Sequence, residues 1–532
     1  MKSNAVHEET ALLIDAGSPK YVIKVNSRFG KISLLSSLYI GVFLAALDGT
    51  VVASLLSHIA SELGNLSFAP WIASAYMMVS SAFQPLFGKL SDIFGRKRCL
   101  LACHFLFALG SLISGYSGKI SLLIAGRCIQ GIGGGGLTAL CSIVVSDIIP
   151  LRDRGLYQGI GNIFFGIGAS LGGTLGGIIS EKFGWRYAFL GQVAISFAAV
   201  LLVFLNLNES NSGRELRLWR ELQNVDFLGS FLLLSSFMCF FLALNLGGAY
   251  FSWRSSQIGL LLTLFLVLFT GFFRAEQNCP EKAVIPTRIF RGATECRCFV
   301  LCFLSSMAAF SYIFHLPIFI EVVQGRSVSF SGFILAVNFM GVMIGSLGSG
   351  LIVKATCRYK LLLLACGILY ILSCGSLYAF GLNTSTALQT ATVCFLGFGY
   401  SGVVTISLVA LMAAVPSDLL AIGNSVLYAS RGFGSTVGVA VSSSIFANSL
   451  RRYLDRNVVG PDRERVIELV LASSDVTRDL PYPYKAMVIQ SYISSLRNVF
   501  ACILCLSALI WLVSLSLKQY LLEPEIKELE EA

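Results

Sequence analysis

The stretch Gly88-Lys89-Leu90-Ser91-Asp92-Ile93-Phe94-Gly95-Arg96-Lys97-Arg98 decides the fold. It compresses two glycines, one aspartate and a cluster of basic residues into a short turn between two apolar runs, 70–90 and 99–118. If those runs cross a membrane, Arg96, Lys97 and Arg98 hold the turn on the cytosolic side, because basic residues resist translocation. Gly88 and Gly95 permit close backbone approach, and Asp92 is placed to meet a basic partner or a helix N-terminus.

Composition agrees with a membrane setting. The 532 residues are 55% hydrophobic and only 13% charged, with mean hydropathy +0.76. Soluble domains carry about 25% charged residues. Apolar runs of about 20 residues, enough to cross a bilayer core, follow one another almost to the end. Fourteen are expected, at 34–56, 70–90, 99–118, 121–149, 156–180, 187–206, 227–249, 257–274, 297–320, 331–353, 360–382, 388–414, 420–449 and 496–518. An even count returns the C-terminus to the side of the N-terminus.

The loops fit that topology. Those assigned to the cytosol hold Arg96 to Arg98, Arg152 and Arg154, Arg214, Arg217 and Arg220, Lys282, Arg288 and Arg291, and Lys354, Arg358 and Lys360. Opposite loops hold scattered charges such as Lys119, Lys182, Arg254 and Arg326, as the positive-inside rule requires. The net charge of +10 therefore reads as topology. Nucleic-acid binding would gather basic residues on one soluble face, so no such partner is expected. The sequons at Asn65 and Asn383 fall in non-cytosolic loops and are glycosylation candidates. The polar, arginine-bearing segment 450–495 is expected to be a long non-cytosolic loop. The first thirty residues hold no signal-peptide core, so the N-terminus is expected to stay cytosolic. Most of the fifteen cysteines lie in apolar runs as small hydrophobes; neither disulfide, metal site nor cofactor is expected. No nucleophile–base constellation or nucleotide-binding fingerprint appears, so the chain reads as neither an enzyme nor an ATP-driven pump.

Among the charged residues inside spans, Asp48 and Arg127 stand out. Asp48 sits in F-L-A-A-L-D-G-T-V-V and Arg127 in L-I-A-G-R-C-I-Q-G-I-G-G-G-G. An ionisable group at that depth costs about 2.5–3.5 kcal/mol on insertion scales and marks an ion or substrate pathway or a structural pair. Arg127 needs an acid; Asp48 is the obvious one, and Gln130 could orient either. A change in the spacing of Asp48 and Arg127 would let the pair act as a proton switch. In the fifth span Gly168, Gly172 and Gly176 recur every fourth residue, which permits close helix crossing.

The 88–97 turn matches G-x-L-x-D-x-x-G-R-K/R and so resembles the loop between the second and third helices of major facilitator transporters. L-D-G-T-V-V around Asp48, R-x-x-Q-G-x-G from Arg127 and G-W-R-Y-A-F from Gly184 resemble elements of the fourteen-helix drug:proton antiporter family. Weaker likenesses at Val284–Pro286, His315–Phe319 and Arg431–Gly434 extend the resemblance over roughly 34–449. The family's fifth-helix motif carries proline where this chain has Gly173, which implies a less kinked helix and weakens an inference of drug export.

The resemblance implies an all-α integral membrane protein of major facilitator fold: two six-helix bundles plus two extra helices, usually monomeric. Residues 1–33 would be a cytosolic tail, 34–206 the first bundle, 207–296 the two-helix insertion, 297–518 the second bundle and 519–532 a cytosolic tail. It also implies that the first and fourth helices are neighbours.

The missing proline, the long loop before the last span and the tail together look most like the fungal vacuolar basic amino acid transporters. That likeness implies proton-coupled antiport of lysine, arginine or histidine, a cationic small-molecule substrate, into the vacuole. Arg431 is a substrate candidate. So is Glu321, where relatives commonly carry glutamine, either as a solvated rim charge or as an attractor of cations. Glu8, Leu12 and Leu13 form E-x-x-x-L-L, which resembles a sorting signal read by clathrin adaptors. A plasma-membrane multidrug or siderophore antiporter and a non-transporting nutrient receptor of the same fold are the alternatives.

Overall fold

The computed structural model describes residues 22–24, 28–63, 69–210, 225–247, 251, 253–278, 283–416, 419–472, 477 and 480–520. Among the described residues, helices follow one another as α1 (Arg28–Glu62), α2 (Ala69–Phe94), α3 (Arg96–Gly115), α4 (Ile120–Ile148), α5 (Leu151–Phe183) and α6 (Arg186–Asn206). Then come α7 (Phe227–Leu246), α8 (Ser256–Asn278), α9 (Ala293–Ile318), α10 (Val328–Thr356), α11 (Lys360–Tyr378) and α12 (Thr386–Ala414). The chain continues through α13 (Leu420–Asn457), the short α14 (Arg463–Ala472) and α15 (Tyr484–Leu515).

Eleven of these helices are long and apolar enough to cross a membrane. The other long helices, α2, α5 and α13, fall short because each carries a polar stripe, and those stripes face one another across a central cavity. The lining residues Ser80, Gln84, Gln158, Asn162, Tyr428 and Arg431 come from these three helices. Low average hydropathy here records a wet inner face on a spanning helix.

Helices α1 to α6 pack as one six-helix bundle and α9 to α13 with α15 as another. The bundles meet where α5 crosses α10 and where α2 crosses α13. Helices α7 and α8 pair outside them: the Phe237 ring lies 4.2 Å from that of Phe433 on α13, while Leu260, Leu266 and Val267 on α8 stay exposed, as lipid contact requires. Helix α9 contains Pro317 and passes into a π turn, Phe319–Val323; proline removes an i→i−4 bond and bends the helix.

The first and last described segments both lie on the basic side. Strand β1 (Val22–Lys24) pairs antiparallel with β2 (Asn208–Ser210), just after α6. The Tyr359 hydroxyl donates to the Lys518 carbonyl at 2.8 Å, and the Lys360 amide to Gln519 Oε1 at 2.8 Å.

The segment 450–495 differs from the loop expected for it. Helix α13 runs on to Asn457, α14 intervenes, and α15 starts at Tyr484 rather than near 496. Leu450, Leu454 and Val458 are buried at a spacing of four, and Val488, Tyr492 and Leu496 repeat the pattern. The exposed arginines Arg451 and Arg452 lower the average hydropathy without interrupting this helical stripe.

Candidate functional site

Asp48 is brought to Arg127 and Gln130 by the crossing of α1 with α4, and all three side chains have zero exposure. Arg127 Nη1 donates to Asp48 Oδ2 at 2.6 Å and to Gln130 Oε1 at 2.6 Å. Gln130 Nε2 donates to Asp48 Oδ1 at 2.9 Å and to Ser111 Oγ at 2.8 Å, with Gln192 Oε1 at 3.3 Å. Arg127 Nε donates to the Ile72 carbonyl at 3.0 Å. Its guanidinium lies 4.5 Å from the centre of the Tyr76 ring, a stacking that suits a dry cation. Asp48 thus meets a charge and an amide at once, as a buried carboxylate must. Ser111, Gln192 and Tyr76 complete the cluster; sequence reading passed over them because uncharged polar residues inside a span cost less than charges and signal less sharply.

The glycine repeat sets a second close approach, of α5 to α1. A Cβ on Gly168 would sit 2.5 Å from the Phe43 carbonyl oxygen, and one on Gly172 would sit 2.5 Å from that of Leu47. Helix α5 therefore lies directly on α1, beside Asp48. Gly176 is buried on the same helix. Helix α5 is continuous through 33 residues.

At the end rich in basic residues, Gly95 adopts φ 90°, a left-handed conformation natural to glycine, and turns α2 into α3. Arg96 is thereby aimed at three partners: Asp92 Oδ1 at 2.6 Å, Asp147 Oδ2 at 2.9 Å and Ser91 Oγ at 2.8 Å. Asp147, at the end of α4, was not singled out from sequence; its only signal is an acid at a span boundary. Lys97 Nζ donates to the Phe204 carbonyl at 2.8 Å, tying α3 to α6. Gly88 lies against the second bundle, where a Cβ would sit 3.1 Å from the Ala421 carbonyl oxygen.

Between the bundles lies a cavity of about 1090 Å³. Its end on the side of the basic turns is packed shut. Gln158 Nε2 donates to the Tyr428 hydroxyl at 2.7 Å, Asn162 Nδ2 to Ser346 Oγ at 2.6 Å, and Lys354 pairs with Asp153 at 3.1 Å. The walls extend to Phe333 near the start of α10. Arg431 lines it and Glu321 does not. Glu321 instead sits in the π turn after α9, because the bend at Pro317 carries it past the cavity wall. His315, buried at 3% exposure, has Nδ1 2.9 Å from the Ser311 carbonyl oxygen and its ring against Phe446, a packing role.

Asn383 is exposed in the turn between α11 and α12. Asn65 and the Glu8, Leu12 and Leu13 set lie outside the described residues.

Two six-helix bundles around a central cavity closed at one end, with a sealed ion pair behind one wall, define a secondary transporter. The family profile described as Major Facilitator Superfamily matches residues 38–439, and the chain belongs to that superfamily. Among curated relatives, the "Multidrug resistance protein fnx1" of Schizosaccharomyces pombe is 33% identical over 532 residues, covering 98% of each chain. The "Vacuolar membrane amino acid uptake transporter fnx2" of the same organism is 32% identical over 94% of this chain and 84% of its own. "Vacuolar basic amino acid transporter 1" of Saccharomyces cerevisiae is 30% identical over 81% of this chain and 80% of its own. Among solved structures, the human organic anion transporter MFSD10 (TETRAN) superposes with TM-score 0.57 at 14% identity, covering 91% of this chain and 99% of its own. The proton:xylose symporter XylE gives TM-score 0.57 at 13% identity over 94% and 98%. Both carry the same fold. The chain is a multi-pass membrane transporter of this superfamily, not an enzyme.

Proposed function

We propose that this protein is a proton-coupled antiporter that moves basic amino acids from the cytosol into the vacuole. The observation that carries the coupling is the 2.6 Å Asp48–Arg127 pair, fully buried and bridged by Gln130. The Tyr76 ring covers Arg127 on one side and lines the cavity on the other. Movement of α1 against α4 would lengthen the pair and free the Asp48 carboxylate to exchange a proton with the cavity. Restoring the contact would expel it. Solute arrival and proton exchange would communicate through Tyr76 and the Gly49–Thr50 segment, which also borders the cavity.

The substrate and compartment rest on the relatives named for vacuolar amino acid transport. The test is ATP-driven uptake of labelled lysine, arginine and histidine into vacuolar vesicles from cells with and without the protein. Protein-dependent uptake that a protonophore abolishes is the expected result. Its absence from vesicles verified to contain the protein would overturn the reading.

A second reading, multidrug export, is favoured by the relative named for multidrug resistance and by the aromatic cavity wall, which includes Phe310, Phe314 and Phe339. Plasma-membrane localisation with drug hypersensitivity on deletion would select it.

A further inference from the structure

The membrane domain holds two inward arginines with opposite circumstances. Arg127 is neutralised by Asp48. Arg431 has no carboxylate partner among the described residues; its one hydrogen bond runs from Nη2 to the Tyr400 hydroxyl at 3.5 Å. Its guanidinium stands 5.2 Å from the centre of the Tyr428 ring, and Tyr428 is held by Gln158. The cavity wall holds neither aspartate nor glutamate among the described residues, so Arg431 is its one formal charge. A guanidinium cannot shed its proton, and an uncompensated one at this depth is costly. A wall of this kind repels a cargo that is only cationic.

The neighbouring wall offers what the other end of a zwitterion needs. Gln84 Oε1 and Asn338 Oδ1, both on cavity-lining residues, have no hydrogen-bond donor. Ser81, one turn before Gln84, is packed where a Cβ on Gly432 would fall, beside Arg431. The Gln84 amide and the guanidinium therefore sit close to the crossing of α2 with α13, while the Asn338 amide lines the cavity from α10. Phe310, Phe314 and Phe339 supply ring faces for a cationic side chain.

We propose that Arg431, set between Tyr400 and Tyr428, binds the carboxylate of the transported solute. The cavity thereby selects amino acids over amines of the same side-chain charge. The proposal rests on the amino-acid reading above and names the group that discriminates.

The test uses proteoliposomes of the full chain with an acidic interior and labelled lysine outside. Unlabelled ornithine, lysinamide and cadaverine compete; the last two lack the carboxylate. Ornithine should compete about as well as lysine, and lysinamide and cadaverine at least tenfold less well. Arg431→Gln should raise KM at least tenfold while leaving uptake responsive to the pH gradient. Arg431→Lys, which keeps the charge without the planar fork, should recover part of the affinity and shows that the site still folds. Equal competition by cadaverine, or an unchanged KM in Arg431→Gln, would overturn the proposal while lysine transport stands. If the wild-type chain transports no basic amino acid, the proposed function fails by itself. The site is then tested on purified protein by thermal shift with acid and amide pairs (lysine and lysinamide, leucine and leucinamide). Stabilisation by the acid alone, lost in Arg431→Gln, supports the carboxylate site; no difference between acid and amide overturns it.

Discussion

Asp48→Asn keeps the shape of the side chain and removes its charge, leaving Arg127 with the hydrogen bonds to Gln130 and Ile72. Neither Asp48 nor Arg127 has any exposed surface, so water cannot share the stranded charge. Removing one partner of a buried pair costs about 3–5 kcal/mol. Part of this returns, because an asparagine oxygen can still accept from Arg127. Arg127→Gln strands the carboxylate instead, with a comparable loss. The double variant strands nothing. Its stability should exceed the sum of the single effects by an interaction energy of about 0.5–3 kcal/mol, the range for groups in contact.

Thermal inactivation of detergent-purified protein ranks the four forms, and vesicle uptake reports the coupling. Each pH unit of gradient supplies about 1.4 kcal/mol per proton, roughly tenfold accumulation of a neutral solute at one-to-one exchange. Asp48→Asn should lose this concentrative part and keep downhill exchange of labelled lysine. The double variant should regain stability and not coupling. Additive single effects would refute the energetic argument. Protonophore-sensitive accumulation by Asp48→Asn would falsify the proton switch itself.

Three further predictions address packing, the cytosolic cluster and sorting. Gly168→Ala should depress folded yield sharply, since its Cβ would lie 2.5 Å from the Phe43 carbonyl oxygen, whereas Gly177→Ala, with nothing within 4 Å, should be tolerated; equal size-exclusion yields would contradict this. Asp147→Asn should slow transport as Asp92→Asn does, because each weakens a charged bond to Arg96 worth about 1.5–3 kcal/mol; wild-type uptake by Asp147→Asn would remove it from the cluster. Leu12→Ala combined with Leu13→Ala should redirect the protein from the vacuole to the cell surface, read by microscopy of a tagged chain, and unchanged localisation would leave the tail without that role.

Much of the fold was legible because lipid imposes a simple rule on the chain: a spanning segment satisfies its backbone internally and is apolar for about 20 residues. Asp48 and Arg127 stood out for the same reason, as charges where charge is expensive. The rule locates helices with one wet face but does not say which face that is. The start of α15 at Tyr484 and the cavity-lining roles of α2, α5 and α13 are written in four-residue stripes that average hydropathy hides.

The sequence by itself determined the membrane class, the superfamily turn at Gly88 to Arg98 and which intramembrane charges demand partners. Tertiary structure decided who those partners are. Asp48 meets Arg127 across 79 positions, and Asp147 joins Arg96 across 51. Glu321 is turned off the cavity wall, and Arg431 is left on it without an acid. Helical periodicity specifies the face a residue occupies, and only the crossing of whole helices specifies what that face meets.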